Sequence, residues 1–359
     1  MSIILAEAYL HQLDPFAIEF PASLRNLSWL PDGIRWYGLS YMAAFILAWL
    51  LFRWMAVTKR STLPTASAAA DLLFYIILGV LVGGRLGYVL FYQPSLLVDF
   101  HSGFPFWGVL AINTGGMASH GGMIGVLIAC WLFARRNKIS PLHLYDLSVL
   151  AAPLGMGMGR LANFMNAELW GKALPAARQS FPPSDPPIEQ PWWSVKYPEE
   201  ILTWNPAFSI DNDRLLELNQ LTSVVGGGER FRMNIVEAVQ ASDQTVVAVV
   251  EPLLTAYYPS QIIQAIVAGP VIFAILVLLW LRPRKPGVIG GTFFIAYGSL
   301  RILTELWRQP DEGVALLFGM LSRGQVLSIL MVIAGIAVVV FCQRRSVERI
   351  GGLLRRQSF

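Results

Sequence analysis

The sequence predicts an all-α polytopic membrane protein with seven transmembrane helices and a small extracytoplasmic head domain. Three observations predict it. The chain of 359 residues is 55% hydrophobic and only 14% charged, whereas a soluble domain carries about 25% charged residues. Seven apolar stretches approach the length of about 20 residues that a helix needs to cross a bilayer: 36–56, 71–92, 118–135, 144–166, 260–281, 289–307 and 325–343. Basic residues follow every second one of them.

Residues 1–35 hold Asp14, Pro15, Glu19 and Pro21 and no continuous apolar core. They read as an extracytoplasmic segment, not as a cleavable signal peptide. The first four spans occupy 36–166. Trp36, Tyr37 and Tyr41 open the first, and Arg53, Lys59 and Arg60 close it. The second ends in GGRLGYV at 83–89, and the segment 93–117 contains no lysine or arginine. The glycine-rich run INTGGMASHGGMIG at 112–125 is expected to bend into the membrane as a cavity-lining loop. Arg135, Arg136 and Lys138 follow the third span.

The fourth span leads into residues 167–259, which are polar and proline-rich, with PPSDPP at 182–187 and GGG at 226–228. This is the predicted head, and alternation such as Thr245 to Val250 predicts short strands in it. Three more spans occupy 260–343. Arg282, Arg284 and Lys285 follow the fifth span, and Arg344, Arg345 and Arg349 begin a basic tail at 344–359. The positive-inside rule then places the N-terminus outside and the C-terminus in the cytoplasm. The net charge of +4 is clustered at these boundaries and reads as a topology signal, with no nucleic-acid partner. Two cysteines and four histidines, without a carboxylate or thiolate cluster, make neither a disulfide framework nor a metal site. No cofactor motif is present, and the oligomeric state is not encoded in any feature of the chain.

Charge at membrane depth is rare and usually functional. Arg85 stands among glycines in the second span. As a structural residue it would pair with an acid or snorkel; as a functional one it would bind a ligand. His120 has the chemistry of a general base or of a residue that orients a headgroup, and the sequence leaves both open. Arg160, Asn163 and Asn166 recur every three residues and stay largely on one side of the fourth span, with Glu168 beyond them. Tyr297, Arg301, Glu305 and Arg308 share one face of the sixth. An interhelical hydrogen-bond cluster is the bland reading of such faces, but in membranes such bonds contribute only about 0.6–2 kcal/mol. Three polar helix faces point instead to one shared cavity near the outer membrane surface. Arginine forks match phosphate oxygens, so an anionic phospholipid headgroup is the expected occupant. No nucleophile motif appears, so a second substrate is expected to bring the nucleophile. A transporter or flippase for an anionic lipid is the rival. It would need polar residues through the whole membrane depth, and stretches such as ILVLLWL at 275–281 supply none.

Residues 159–171, Gly-Arg-Leu-Ala-Asn-Phe-Met-Asn-Ala-Glu-Leu-Trp-Gly, resemble the signature of the prolipoprotein diacylglyceryl transferases throughout. RWYGLSY at 35–41, GGRLGYV at 83–89, HGG at 120–122, Tyr297 to Arg301 and WRQPD at 307–311 also resemble family segments, in the same order. The resemblance implies a seven-span enzyme of the bacterial cytoplasmic membrane. It would move a diacylglyceryl group from phosphatidylglycerol to the lipobox cysteine of a prolipoprotein, forming a thioether and releasing glycerol phosphate. Tyr37, His120, Arg160, Asn163, Glu168, Gly171, Arg301 and Glu305 match the family's functional positions. It implies phosphate-binding roles for Arg160 and Arg301 and supporting roles for Asn163, Glu168 and Glu305. Tyr37 and Tyr297 would line the pocket, with Arg85, Asn166 and Arg308 as further substrate contacts. The thiol would lose its proton to His120 or have its pKa lowered by the arginines. Two departures stand out. The family stretch His-Pro-Ser-Gln-Leu-Tyr-Glu reads Tyr258-Pro259-Ser260-Gln261-Ile262-Ile263-Gln264 here, and the head between Gly171 and Pro259 is longer than the family implies.

Overall fold

The computed structural model describes residues 8–21, 23, 33–100, 102–103, 105–111, 115–174, 190–203, 229–309 and 322–354. The PPSDPP and GGG stretches, residues 112–114 and residues 310–311 of WRQPD lie outside the described residues. The chain is mostly helical. In order, the helices are α1 (Trp36–Val57), α2 (Ala66–Phe91), α3 (Ser119–Asn137), α4 (Pro141–Met165), α5 (Glu200–Thr203), α6 (Glu229–Gln240), α7 (Gln244–Val250), α8 (Ser260–Ile266), α9 (Ile272–Trp280), α10 (Val288–Thr304) and α11 (Arg323–Arg344). A π-helical turn at Val267–Val271, carrying Pro270, joins α8 to α9. Proline has no N–H to give the helix ladder, and a π-turn is a common way to absorb that. Among the described residues, four helical stretches are long and apolar enough to cross a membrane: Trp36–Val57, Ala66–Phe91, Ser260–Trp280 and Gly324–Arg344.

Two compact units divide the chain. The first comprises Met1–Tyr41, Met156–Gly269 and Leu300–Leu327; the second comprises Met42–Gly155, Pro270–Ser299 and Ser328–Phe359.

In the second unit, α2 starts at a Thr65 cap, whose hydroxyl accepts the Ala68 N–H at 3.1 Å. It then packs along α3 with backbone against backbone. A Cβ on Gly83 would meet the Gly121 carbonyl, and one on Gly125 would meet that of Gly79. Small residues permit such close crossing. The expected re-entrant loop is therefore corrected: α3 already begins at Ser119, and the glycines at 121 and 125 serve helix packing instead of chain flexibility. Elsewhere in this unit the buried Asp146 carboxylate accepts the N–H groups of Gly287 and Gly290, both at 2.7 Å. It thereby caps α10 from another helix. The tail is tied down through paired backbone bonds between Arg284 and Ile350, 3.1 and 2.8 Å.

The first unit holds two small sheets. β1 (Tyr9–Leu10) lies parallel to β4 (Val195–Lys196), which pairs antiparallel with β5 (Ala256–Tyr257). β2 (Phe16–Glu19) and β3 (Gly33–Arg35) form an antiparallel pair. Ile201, Phe231, Ile235, Val239, Val246, Val247, Val250 and Leu254 form an apolar core. The strand expected at Thr245–Val250 is corrected to α7. Asp243 caps it by accepting the Thr245 N–H at 3.0 Å, and Val246, Val247 and Val250 turn one face inward. The β-branched run suits a strand locally, but the cap and the one-sided core select a helix. His11 is fully buried against Phe164 and Tyr197, with its Nε2 2.7 Å from the Phe164 carbonyl. Burial pushes its pKa down to about 4.

Candidate functional site

The first unit collects most of the polar positions singled out in the sequence. Tyr37 lies in the first turn of α1, Arg160 and Asn163 near the end of α4, and Glu168 just beyond it. The Tyr37 hydroxyl donates to Glu168 Oε2 at 3.0 Å and accepts from the Asn163 amide, which also reaches Glu168 Oε2 at 3.4 Å. Arg160 lies within electrostatic reach of the same hydroxyl. The helical spacing of three residues puts Arg160 and Asn163 on one side, and the turn beyond α4 brings Glu168 back to Asn163 and Tyr37. Asn166 is different. Both polar atoms of its side chain are buried and have no hydrogen-bond partner. Leaving such groups unmade costs about 1–3 kcal/mol each, which marks the amide as ready for a partner.

Glu168 sits in a strained turn. Ala167 and Leu169 on either side of it have φ of 50° and 58°. The left-handed region costs a non-glycine residue about 1–2 kcal/mol, and surrounding contacts must hold it. They do so at three successive carbonyls. Trp170 Nε1 donates to Ala167 O at 2.6 Å, Gln261 Nε2 to Glu168 O at 2.8 Å, and Ser260 Oγ to Leu169 O at 3.0 Å. Gly171 follows, and a Cβ there would collide with the Tyr258 and Trp307 carbonyls. That close approach lets the chain run between two neighbours. Gly171 pairs with Arg308 and Ala173 with Tyr257 in antiparallel bridges, and Lys172 N–H donates to Trp307 O at 2.9 Å.

The second cluster begins where that strand meets Arg308. Arg301 and Glu305, one helical turn apart, form an ion pair. The Arg308 guanidinium lies 3.8 Å from the other Glu305 oxygen, and Ser322 Oγ donates to that oxygen at 3.3 Å. All three charged side chains are largely buried, at 11–15% exposure. Ser322 also opens α11 by a reciprocal cap with Gln325: its hydroxyl accepts the Gln325 backbone N–H at 3.1 Å, and its own N–H donates to the Gln325 side-chain Oε1 at 3.0 Å. Arg301 and Arg308 outnumber Glu305 by one positive charge.

Arg85, His120 and Tyr297 belong to the second unit. Arg85 is buried and donates to four main-chain carbonyls: Val109 at 2.8 Å, Gly108 and Gly115 at 2.6 Å, and Gly116 at 3.1 Å. Four of its five N–H groups are thus directed at the chain itself. His120 is exposed in the first turn of α3, and its ring makes no hydrogen bond among the described residues. Tyr297 stacks on Phe293 with centroids 5.7 Å apart. Among the described residues no group of acidic, histidine and cysteine side chains is arranged to hold a metal ion.

Sequence reasoning missed Ser260 and Gln261 as contributors. The retained Pro-Ser-Gln of the otherwise altered 258–264 stretch was the available signal. Gln261 is 1% exposed, and a buried amide at the mouth of an apolar helix asks for partners.

The chain matches the family profile described as prolipoprotein diacylglyceryl transferase over residues 27–341. It is 38% identical to the phosphatidylglycerol–prolipoprotein diacylglyceryl transferase of Bdellovibrio bacteriovorus, covering 97% of this chain and 98% of that protein. It is 34% identical to the protein of the same name from Stenotrophomonas maltophilia, over 94% and 95% of the two chains. The one from Yersinia pestis is also 34% identical, over 89% and 93%.

Proposed function

The chain belongs to the prolipoprotein diacylglyceryl transferase family, and from that membership we propose how its residues carry out the reaction. It is a membrane enzyme that transfers the diacylglyceryl group of phosphatidylglycerol to prolipoproteins. The acceptor is the thiol of a lipobox cysteine. Its sulfur attacks the glycerol carbon that carries the phosphate ester. A C–S bond forms, the C–O bond breaks, and its electron pair leaves with the phosphate as glycerol phosphate. The thiol proton passes to a base and then to water or the departing phosphate.

Arg160 and Arg301 hold that phosphate and stabilise the charge that develops on it. Glu305 fixes Arg301 and Arg308 as a forked pair, and Arg308 guides the headgroup. Tyr37, Asn163 and Glu168 act as one hydrogen-bonded unit that orients the glycerol carbon and its ester oxygen. Asn166 supplies a free amide to headgroup hydroxyls, and Gly171 keeps the Arg308 strand close. Tyr297 lines the pocket. His120, with its exposed ring, is the candidate proton acceptor. Arg85 contributes by shaping the loop around 108–116. The observation that carries this reading is the Gly171–Arg308 pairing, which joins the Tyr37–Asn163–Glu168 group to the Arg301–Glu305–Arg308 group in one unit.

The seven-span reading places the enzyme in the bacterial inner membrane, N-terminus outside and C-terminus cytoplasmic. The basic boundaries after spans one, three, five and seven support it. Residues 167–259 then form an extracytoplasmic head. Reporter fusions at each boundary test this topology. The relatives bear transferase names, and the flippase alternative has no support beyond the arginines themselves. The deciding experiment incubates purified enzyme with phosphatidylglycerol vesicles and a lipobox peptide. The expected result is a diacylglyceryl mass gain on the peptide cysteine together with released glycerol phosphate. No mass gain with folded, detergent-stable protein would refute the assignment.

A further inference from the structure

The turn that presents Glu168 is built from outside itself. Its two left-handed residues, Ala167 and Leu169, flank the one side chain that meets the Tyr37 hydroxyl. A left-handed backbone at alanine and leucine is not what those residues adopt unaided. The carbonyls of residues 167, 168 and 169 each accept a side-chain donor. Two of the donors, Ser260 and Gln261, come from the start of α8, about a quarter of the chain away in sequence. Both are buried, at 1% exposure. Gln261 also has its own orientation set, because its Oε1 accepts the Tyr197 hydroxyl at 3.2 Å. With the acceptor end engaged there, the amide N–H₂ faces the Glu168 carbonyl. Tyr197 is in turn fully buried and stacked flat on Trp170, with centroids 5.2 Å apart and planes at 5°. Trp170 supplies the third donor.

We propose that Gln261, with Ser260, is a positioning residue for the transfer reaction, which holds the 167–169 carbonyls and thereby aims the Glu168 carboxylate at Tyr37. It touches no substrate. It rests on the transferase reading above, in which the Tyr37–Asn163–Glu168 group orients the reacting ester. The turn is a backbone spring held open by two side-chain donors, so losing a donor lets Glu168 relax away from Tyr37. A displacement of that kind slows the chemical step and leaves phosphate binding by the arginines alone.

The test compares four variants in the vesicle-and-peptide assay, with kcat, KM for phosphatidylglycerol and the thermal unfolding midpoint measured for each. Gln261→Met removes both polar ends. Gln261→Glu keeps the acceptor for Tyr197 but cannot donate to the Glu168 carbonyl. Ser260→Ala removes the Leu169 bond and a long 3.5 Å bond to Gln261 Oε1, and Tyr197→Phe removes the bond to Gln261. The expected result is a kcat about tenfold or more lower in both Gln261 variants, with KM within about twofold. Ser260→Ala and Tyr197→Phe should each fall less, the second because Gln261 loses the bond that orients it. If Gln261→Met does not fold, Gln261→Glu and Ser260→Ala carry the test. A merely structural role predicts the opposite pattern: activity falling in step with the unfolding midpoint across all four variants. That pattern overturns the proposal, as does full kcat in Gln261→Glu. Absence of transfer by the wild type would instead sink the transferase assignment.

Discussion

Arg85 and Arg301 are both arginines within apolar helices, yet their surroundings differ in kind. Arg85 donates to four carbonyls of its own chain around 108–116. Arg301 pairs with Glu305, whose other oxygen faces Arg308 and Ser322. Carbonyls are fixed by the main chain and cannot be exchanged for a ligand without breaking the loop. The Glu305 carboxylate engages one terminal nitrogen of Arg301, which leaves the rest of that guanidinium fork for another anion. The first arginine therefore builds structure, and the second is suited to chemistry. Burial of a charge alone does not distinguish them; the partner does.

The sharpest test of this contrast is the loss of each arginine. Arg301→Ala is expected to lower kcat/KM about 100-fold or more, with the unfolding midpoint nearly unchanged. Arg85→Ala is expected to do the reverse at first order. Leaving the buried Gly108 and Val109 carbonyls without donors costs about 1–3 kcal/mol per group. The midpoint should fall by roughly 5 °C or more, and limited proteolysis should cut within 93–117. Arg85→Lys should rescue little, because an ammonium has only three donors. An Arg85→Ala enzyme that is stable but inactive would break the comparison.

Smaller changes sharpen it. Glu305→Gln keeps the shape but removes the counter-charge between Arg301 and Arg308. The two guanidinium groups should separate, with kcat down about tenfold and the KM for phosphatidylglycerol not raised. Glu199, in the first unit, is a buried carboxyl of another kind. Its Oε1 accepts from the Gln240 amide at 3.1 Å, and burial pushes its pKa from 4.5 up to about 7. A raised folded-state value contributes its stability fully below about pH 4.5 and loses it as pH rises through 7. Between pH 5 and pH 8 the wild type should therefore lose roughly 2–4 °C more in unfolding midpoint than Glu199→Gln.

Much of this site was legible because it is helical. Arg160 and Asn163, and Arg301, Glu305 and Arg308, recur at spacings that the 3.6-residue period converts directly into shared faces. The contribution of Ser260 and Gln261 was not legible. Their bonds go to backbone carbonyls more than 90 residues away, and a carbonyl leaves no mark in a sequence. The head shows the opposite failure. Val246 to Val250 carries strand-forming residues, but the Asp243 cap and the position of the apolar core overrule them. Glycine proved ambiguous in the same way. A run of it is compatible with a loop or with a crowded helix crossing, and only the partner helix decides.

That crossing has a consequence for how the lipid arrives. Where Gly79 and Gly83 lie against Gly121 and Gly125, main chain touches main chain, and an acyl tail is wider than any gap left there. Along this stretch α2 and α3 form a closed seam. A lipid tail therefore has no passage between α2 and α3 at this crossing.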